Sequence, residues 1–311
     1  MEKFSFIDKE GVKISYYKWE PATKEPVGVV QIVHGMTEYA ARYDYFAKRL
    51  CENGYIVYAH DHRGHGDSLI EGIKGYIGEK NGFEMLVDDV KELTDIIKKE
   101  NPSLPLVVFG HSMGSFVTQR YMQEYGREAA GIILSGTNGK PQAYTKAGIL
   151  VSRIEMIIKG NKAICPLMDK LSFGSFNANF KPTRTEFDWL CSDENEVDKY
   201  IADEKCGFVC TTSFYNELVK ATWRIHEKEN MNKIPKDMPI YIMAGDKDPV
   251  GNSGKGIIDL YNRYKALQIK NVQYKLYKNG RHEMLNEKNK DEVIDDIVAW
   301  TNKLVEEKVQ A

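Results

Sequence analysis

Gly110-His111-Ser112-Met113-Gly114 sets one hydroxyl between two glycines, in the spacing G-x-S-x-G. The apolar run Leu106 to Phe109 precedes it. A helical pattern follows, with Phe116, Val117, Tyr121 and Met122 recurring every three to four residues. Strand, sharp turn and helix make a nucleophile elbow. Gly110 and Gly114 lack the Cβ atoms that would strike neighbouring backbone in so tight a turn. Ser112 is thereby held at the carboxyl end of a strand, facing a crevice. A serine hydroxyl is a weak nucleophile near neutral pH; it needs a base, and the base needs a carboxylate to orient it. Only His226 and His282 follow Ser112. His282 lies in a short loop after the final strand pattern and can reach the edge that carries Ser112. His226 falls on an apparent helix and reads as a packing or solvated residue. Two carboxylates, Asp246 and Asp248, stand at the end of a buried run in Ala244-Gly245-Asp246-Lys247-Asp248. The spacing leaves both open, and the chain order serine, acid, histidine suits acyl transfer on an α/β scaffold.

The rest of the chain must position these groups. Residues 3–20 alternate around Asp8-Lys9-Glu10-Gly11 as a β-hairpin would. Val27 to Val33, Tyr55 to Ala59, Leu106 to Phe109, Gly131 to Ser135 and Pro239 to Gly245 are near-continuously apolar, as strands covered on both faces are. Helical patterns lie between them. One spans Arg42 to Asn53. Another carries Phe83, Leu86, Val87, Val90, Leu93 and Ile97 on one face. A helix near Gly254 to Leu267, a strand at Val272 to Leu276 and a helix at Val293 to Val305 close the chain. Strands alternating with helices predict a mostly parallel sheet flanked by helices.

The rhythm fails for about a hundred residues before Pro235. A structureless loop of that length does not suit a compact domain. Residues 139–234 therefore read as a helical cap inserted before the acid-bearing strand, with the core divided into 1–138 and 235–311. The apolar residues Ile149, Leu150, Val151, Ile154, Ile157 and Ile158 suit contact with an acyl chain, or a transient touch on a membrane surface.

Composition excludes several classes. Forty-three basic and 45 acidic residues give a net charge of −2, no footprint for nucleic acid. The N-terminus lacks the apolar core of a signal peptide, no run is long enough to span a bilayer, and five scattered cysteines fit reduced thiols. A cytoplasmic protein without cofactor is expected. Cys206 and Cys210 could share a helix face, but no further ligand completes a zinc set. His60, His62 and His65 approach the dinuclear pattern H-x-H-x-D-H, yet Gly64 stands where its aspartate belongs; no metal is expected.

HGMTEYAARY (34–43), DHRGHGDS (61–68), GHSMG (110–114), GDKDPVGNSGKG (245–256) and GRHEML (280–285) resemble the α/β-hydrolase fold. Within it they resemble the monoacylglycerol lipase and lysophospholipase family, related to the S33 serine aminopeptidases, over nearly the whole chain. The resemblance selects Asp248 over Asp246 as the acid. It places an oxyanion hole on the backbone N–H groups of Met36 and Met113. It also implies that Glu38, Arg42 and His111 hold a glycerol head group, against the alternative of an ion pair that braces the loop. Thr37 and Ser115 stand where the family often has glycine. The expected substrate is a single-chain lipid ester, most simply a monoacylglycerol. A lysophospholipid, a general or feruloyl-type carboxylic ester and, further off, an aminoacyl amide are the alternatives.

Overall fold

The computed structural model describes residues 1–309. In chain order the elements are β1 (Glu2–Ile7), β2 (Lys13–Trp19), β3 (Gly28–Val33), α1 (Asp44–Glu52), β4 (Tyr55–His60), α2 (Gly82–Glu100), β5 (Leu106–His111), α3 (Met113–Tyr125) and β6 (Gly131–Ser135). Then come α4 (Lys146–Lys159), α5 (Pro166–Phe173), α6 (Glu194–Ala202), α7 (Thr212–Arg224), α8 (Lys228–Asn232), β7 (Ile240–Gly245), α9 (Lys255–Ala266), β8 (Val272–Tyr277) and α10 (Lys290–Val309). The strands form one sheet in the order β1-β2-β4-β3-β5-β6-β7-β8. From β4 to β8 all pairs are parallel. The β1–β2 hairpin is added antiparallel at one edge.

Strands β3 to β7 are buried along their whole length because each feeds two cores. In β5, Leu106 and Val108 join the α2–α3 side, while Val107 and Phe109 join the α1–α10 side. Successive side chains of a strand point to opposite faces, so a two-sided sheet needs both apolar. The six α2 residues singled out by their spacing are all buried. Arg42 to Asn53 is shorter as a helix than its pattern suggests. Ala40–Tyr43 is a 3₁₀ turn and α1 begins at Asp44, because Arg42 is drawn into the ion pairs described below.

Between β6 and β7 lie the five helices α4–α8. Cys206 and Cys210 sit in the loop between α6 and α7, not on one helix, and His226 follows the end of α7. His226 is buried, which makes it a packing residue. Helix α4 lays Gly148 against Val219 of α7 and accepts on Ser152 Oγ an N–H from Asn216 at 2.9 Å. These two small residues let the helices approach, so the apolar residues Leu150, Ile154, Ile157 and Ile158 turn outward to solvent. Residues 310 and 311 of the expected second core part lie outside the described residues.

The loop after β4 packs His62 and His65 against His34, and His60, the last residue of β4, lies against His62. His34 Nδ1 donates to the Gly35 carbonyl at 2.7 Å, and His34 Nε2 accepts the His62 N–H at 2.9 Å. His62 Nε2 donates to the His34 carbonyl at 3.1 Å. Among the described residues, no group of three His, Cys, Asp or Glu side chains is placed to hold a metal. Burial pushes His60 down to about 3 and His65 to about 4. An unfolded imidazole titrates near ~6.5, so below that pH the unfolded chain binds more protons than the folded one, and stability falls as pH drops. Neither ring nitrogen of His60 has a partner among the described residues. His60→Met should therefore lessen the fall in Tm between pH 7 and pH 5. An unchanged fall in a pH series of melting curves would remove His60 from the account.

Candidate active site

Ser112 is the turn between β5 and α3, with φ 51° and ψ −120°, a region costly for a side chain and held only where the surroundings impose it. A Cβ on Gly114 would collide with the Val33 carbonyl; the strand–helix packing needs glycine there. His282, in the loop after β8, brings Nε2 to 2.8 Å from Ser112 Oγ. Its Nδ1 lies 3.0 Å from Asp248 Oδ1. A carboxylate only accepts, so Nδ1 carries the proton and donates, and Nε2 is the acceptor facing the serine. Asp248, fully buried, also accepts the Val250 N–H at 2.9 Å. Asp246 is held elsewhere: its Oδ1 accepts the Asn279 N–H at 2.8 Å and braces the turn after β8. A Cβ on Gly245 would overlap Gly280, so the acid and histidine loops can meet only because Gly245 is bare. Burial works against charge on His282, but the neighbouring Asp248 carboxylate outweighs it and lifts the imidazole above its ordinary value. His111, its ring tilted 4.8 Å from that of His282, is pushed down to about 3, first by burial and then by His282. It stays neutral.

Met36 lies in the loop after β3 and Met113 is the first residue of α3, so both flank the elbow. The loop is braced from several sides. Glu38 Oε1 accepts the Gly35 N–H at 2.5 Å and the Tyr43 hydroxyl at 2.9 Å. Asp61 Oδ1 accepts the Ala40 N–H at 2.9 Å. From the segment between β6 and β7, the Gly207 N–H reaches the Thr37 carbonyl at 3.0 Å and the Tyr200 hydroxyl donates to the same carbonyl at 3.1 Å. Thr37 takes φ 53°, the conformation that favours glycine.

Arg42 lies between two carboxylates. Its guanidinium donates to Glu38 Oε2 at 2.6 Å and, twice, to Glu283 at 2.9 Å. Burial raises Glu38 despite Arg42. Glu283 resists its own burial because it takes Arg42 in a two-pronged pair, and it is pulled down to about 2. Glu283 stands in the motif GRHEML, which assigns it no role. It directly follows His282, but its partner is 241 residues away and no local pattern reveals it. Glu38, Arg42, Tyr43, His111, Glu283 and Asn286 border a small cavity of about 30 Å³, room for about two waters.

Residues 24–289 match the family described as serine aminopeptidase, S33. The monoacylglycerol lipase of Mycolicibacterium smegmatis is 29% identical over 299 residues, covering 95% of each chain. The human monoglyceride lipase is 26% identical over 280 residues, 89% of this chain and 82% of that protein. A thermostable carboxyl esterase from Bacillus coagulans, solved with glycerol, superposes with a TM-score of 0.91 at 28% identity over 98% of both chains. The fold is that of the α/β-hydrolases, and the protein is a carboxylic ester hydrolase. The chain belongs to the S33 serine aminopeptidase family of that fold.

Proposed function

We propose that the enzyme cleaves esters of single-chain lipids, most specifically monoacylglycerols, through an acyl-enzyme on Ser112. The observation that carries this reading is His282 bridging Ser112 Oγ and Asp248 Oδ1 at 2.8 and 3.0 Å. Ser112 Oγ attacks the ester carbonyl while His282 Nε2 takes its proton. The oxyanion forms against the N–H groups of Met36 and Met113. His282 then hands the proton to the departing glyceryl oxygen, and water repeats the cycle to release the fatty acid. Residues 139–234 act as a cap over this site. The polar wall of Glu38, Arg42 and His111, extended by Glu283, suits a head group with free hydroxyls. The outward residues Leu150, Ile154, Ile157 and Ile158 of α4 suit transient contact with an aggregated lipid surface. Among the described residues no helix is long and apolar enough to cross a membrane.

The test compares monoacylglycerols, lysophosphatidylcholine, p-nitrophenyl esters and aminoacyl amides, each acyl compound at matched chain length. Preference for the monoacylglycerol is expected. Glu38→Ala frees the Gly35 N–H and so lowers the rate on every ester. Its loss of kcat/KM on the glyceryl ester should exceed that on the p-nitrophenyl ester by a further factor of about 10 to 100, since a buried polar contact goes unpaired. Equal losses would confine Glu38 to bracing the loop, and a preference for lysophosphatidylcholine or an amide would replace the substrate.

A further inference from the structure

The loop that carries His282 is held from two sides. The core holds it through Asp248 and through the Lys247 N–H, which reaches the Gly280 carbonyl at 2.9 Å. The other side belongs to the inserted segment, at residues 188–192 between α5 and α6. Both chain neighbours of His282 are tied there. The Arg281 guanidinium donates to the Asp188 carbonyl and, at 3.1 Å, to the Cys191 carbonyl. It also lies 4.4 Å from the centre of the Phe180 ring, itself in the insert. The Glu283 N–H donates to the Leu190 carbonyl at 2.7 Å. The grip continues as the Ser192 N–H and hydroxyl both reach the Glu287 carboxylate, which also takes the Arg281 N–H at 2.7 Å. In the middle of the gripping segment, Trp189 sets its ring 5.1 Å from the His282 ring. Trp189 is buried and wedged by Phe176 at 4.9 Å and Phe173 at 6.0 Å.

An imidazole held at Nδ1 alone can still tilt about that bond, and Nε2 moves most when it does. Packing a fixed indole against the ring and anchoring the backbone on both sides removes that freedom. We propose that residues 188–192 of the insert belong to the catalytic apparatus, with Trp189 and Arg281 as positioning residues that keep His282 Nε2 aimed at Ser112. This rests on reading Ser112, Asp248 and His282 as the triad. It goes beyond a cap that merely covers substrate: the insert sets the chemistry of every ester, including those too small to touch its apolar surfaces.

The experiment uses p-nitrophenyl acetate, whose two-carbon acyl group makes no demand on an acyl channel. Trp189→Leu and Arg281→Met should each lower kcat by about 10- to 100-fold, as expected for a reacting group displaced by about an ångström, with KM within about twofold of wild type. Labelling of Ser112 by a fluorophosphonate should slow in the same proportion. Arg281→Lys keeps a cation near Phe180 and a donor for the carbonyls, and should restore most of the rate. The low-field proton resonance of the His282 Nδ1–H bonded to Asp248 should broaden in Trp189→Leu and stay sharp in Arg281→Lys. If the two larger substitutions unfold the chain, Ser192→Ala and Trp189→Phe take their place, with expected losses of roughly twofold to fivefold in kcat. Wild-type kcat on the acetate ester in these folded variants, with only KM for long-chain esters raised, would overturn the proposal. Failure of the wild type itself to react with the fluorophosphonate would instead overturn the triad reading.

Discussion

Ser112→Ala should lower kcat on an ester about 10⁴-fold or more while the protein keeps its fold and melting temperature. The expectation follows from the elbow. Ser112 Oγ is the group at 2.8 Å from His282 Nε2, so in the proposed mechanism its removal ends the acyl-enzyme route and leaves only what the proposed oxyanion donors can do for water. Folding should be spared because the hydroxyl supports no other element; the backbone N–H of Ser112 remains bound to the Ser135 carbonyl at 2.9 Å. Alanine also tolerates the turn no worse than serine, having the same Cβ. Steady-state kinetics with a clean preparation and a melting curve check both halves, and more than a few per cent residual activity would remove Ser112 from the proposed role.

The second large effect separates two aspartates two residues apart. Asp248→Asn should cost about 10²- to 10⁴-fold in kcat. An amide can present its NH₂ to His282 Nδ1, which must then accept, and the ring proton moves to Nε2, where it blocks uptake of the Ser112 proton. Asp246→Asn keeps an oxygen for the Asn279 N–H and should change kcat by less than about threefold. The pH profile follows from the same contact. His282 must be neutral to act as base, and Asp248 holds its pKa above the ordinary value, so the rate should fall on the acid side at a pH above ~6.5. Glu283 and Glu38 push in the same direction as Asp248, while burial opposes them. Asn at 248 removes the strongest of the raising charges, so that limb should move to lower pH. The reverse ranking of the two variants would make Asp246 the acid.

Much of this was legible in the residues alone. The apolar strand runs, the glycine-flanked serine, the late histidine and the hundred residues without strand rhythm are local signals. Each reflects a constraint that acts within a few residues: alternation on a two-faced sheet, the tightness of a turn, the period of a helix. What the residues did not decide depends on partners far apart in the chain. Asp246 and Asp248 are equivalent by spacing, and only the approach of the β8 loop through Gly245 and Gly280 turns one toward His282 and the other toward Asn279. Glu38 matched a head-group pattern, yet the fold also makes it the acceptor for Gly35. Glu283 stood inside a matched motif with no partner to be read, and Trp189 carried no signal, since their partners Arg42 and His282 lie 241 and 93 positions away. The apolar face of α4 was plain as composition, but its direction was set by Gly148 and Ser152 packing on α7. Sequence therefore determined which groups are available and which elements carry them. Tertiary packing decided which of those groups face one another, because a side chain's charge, proton and orientation depend on what the rest of the chain brings within a few ångströms of it.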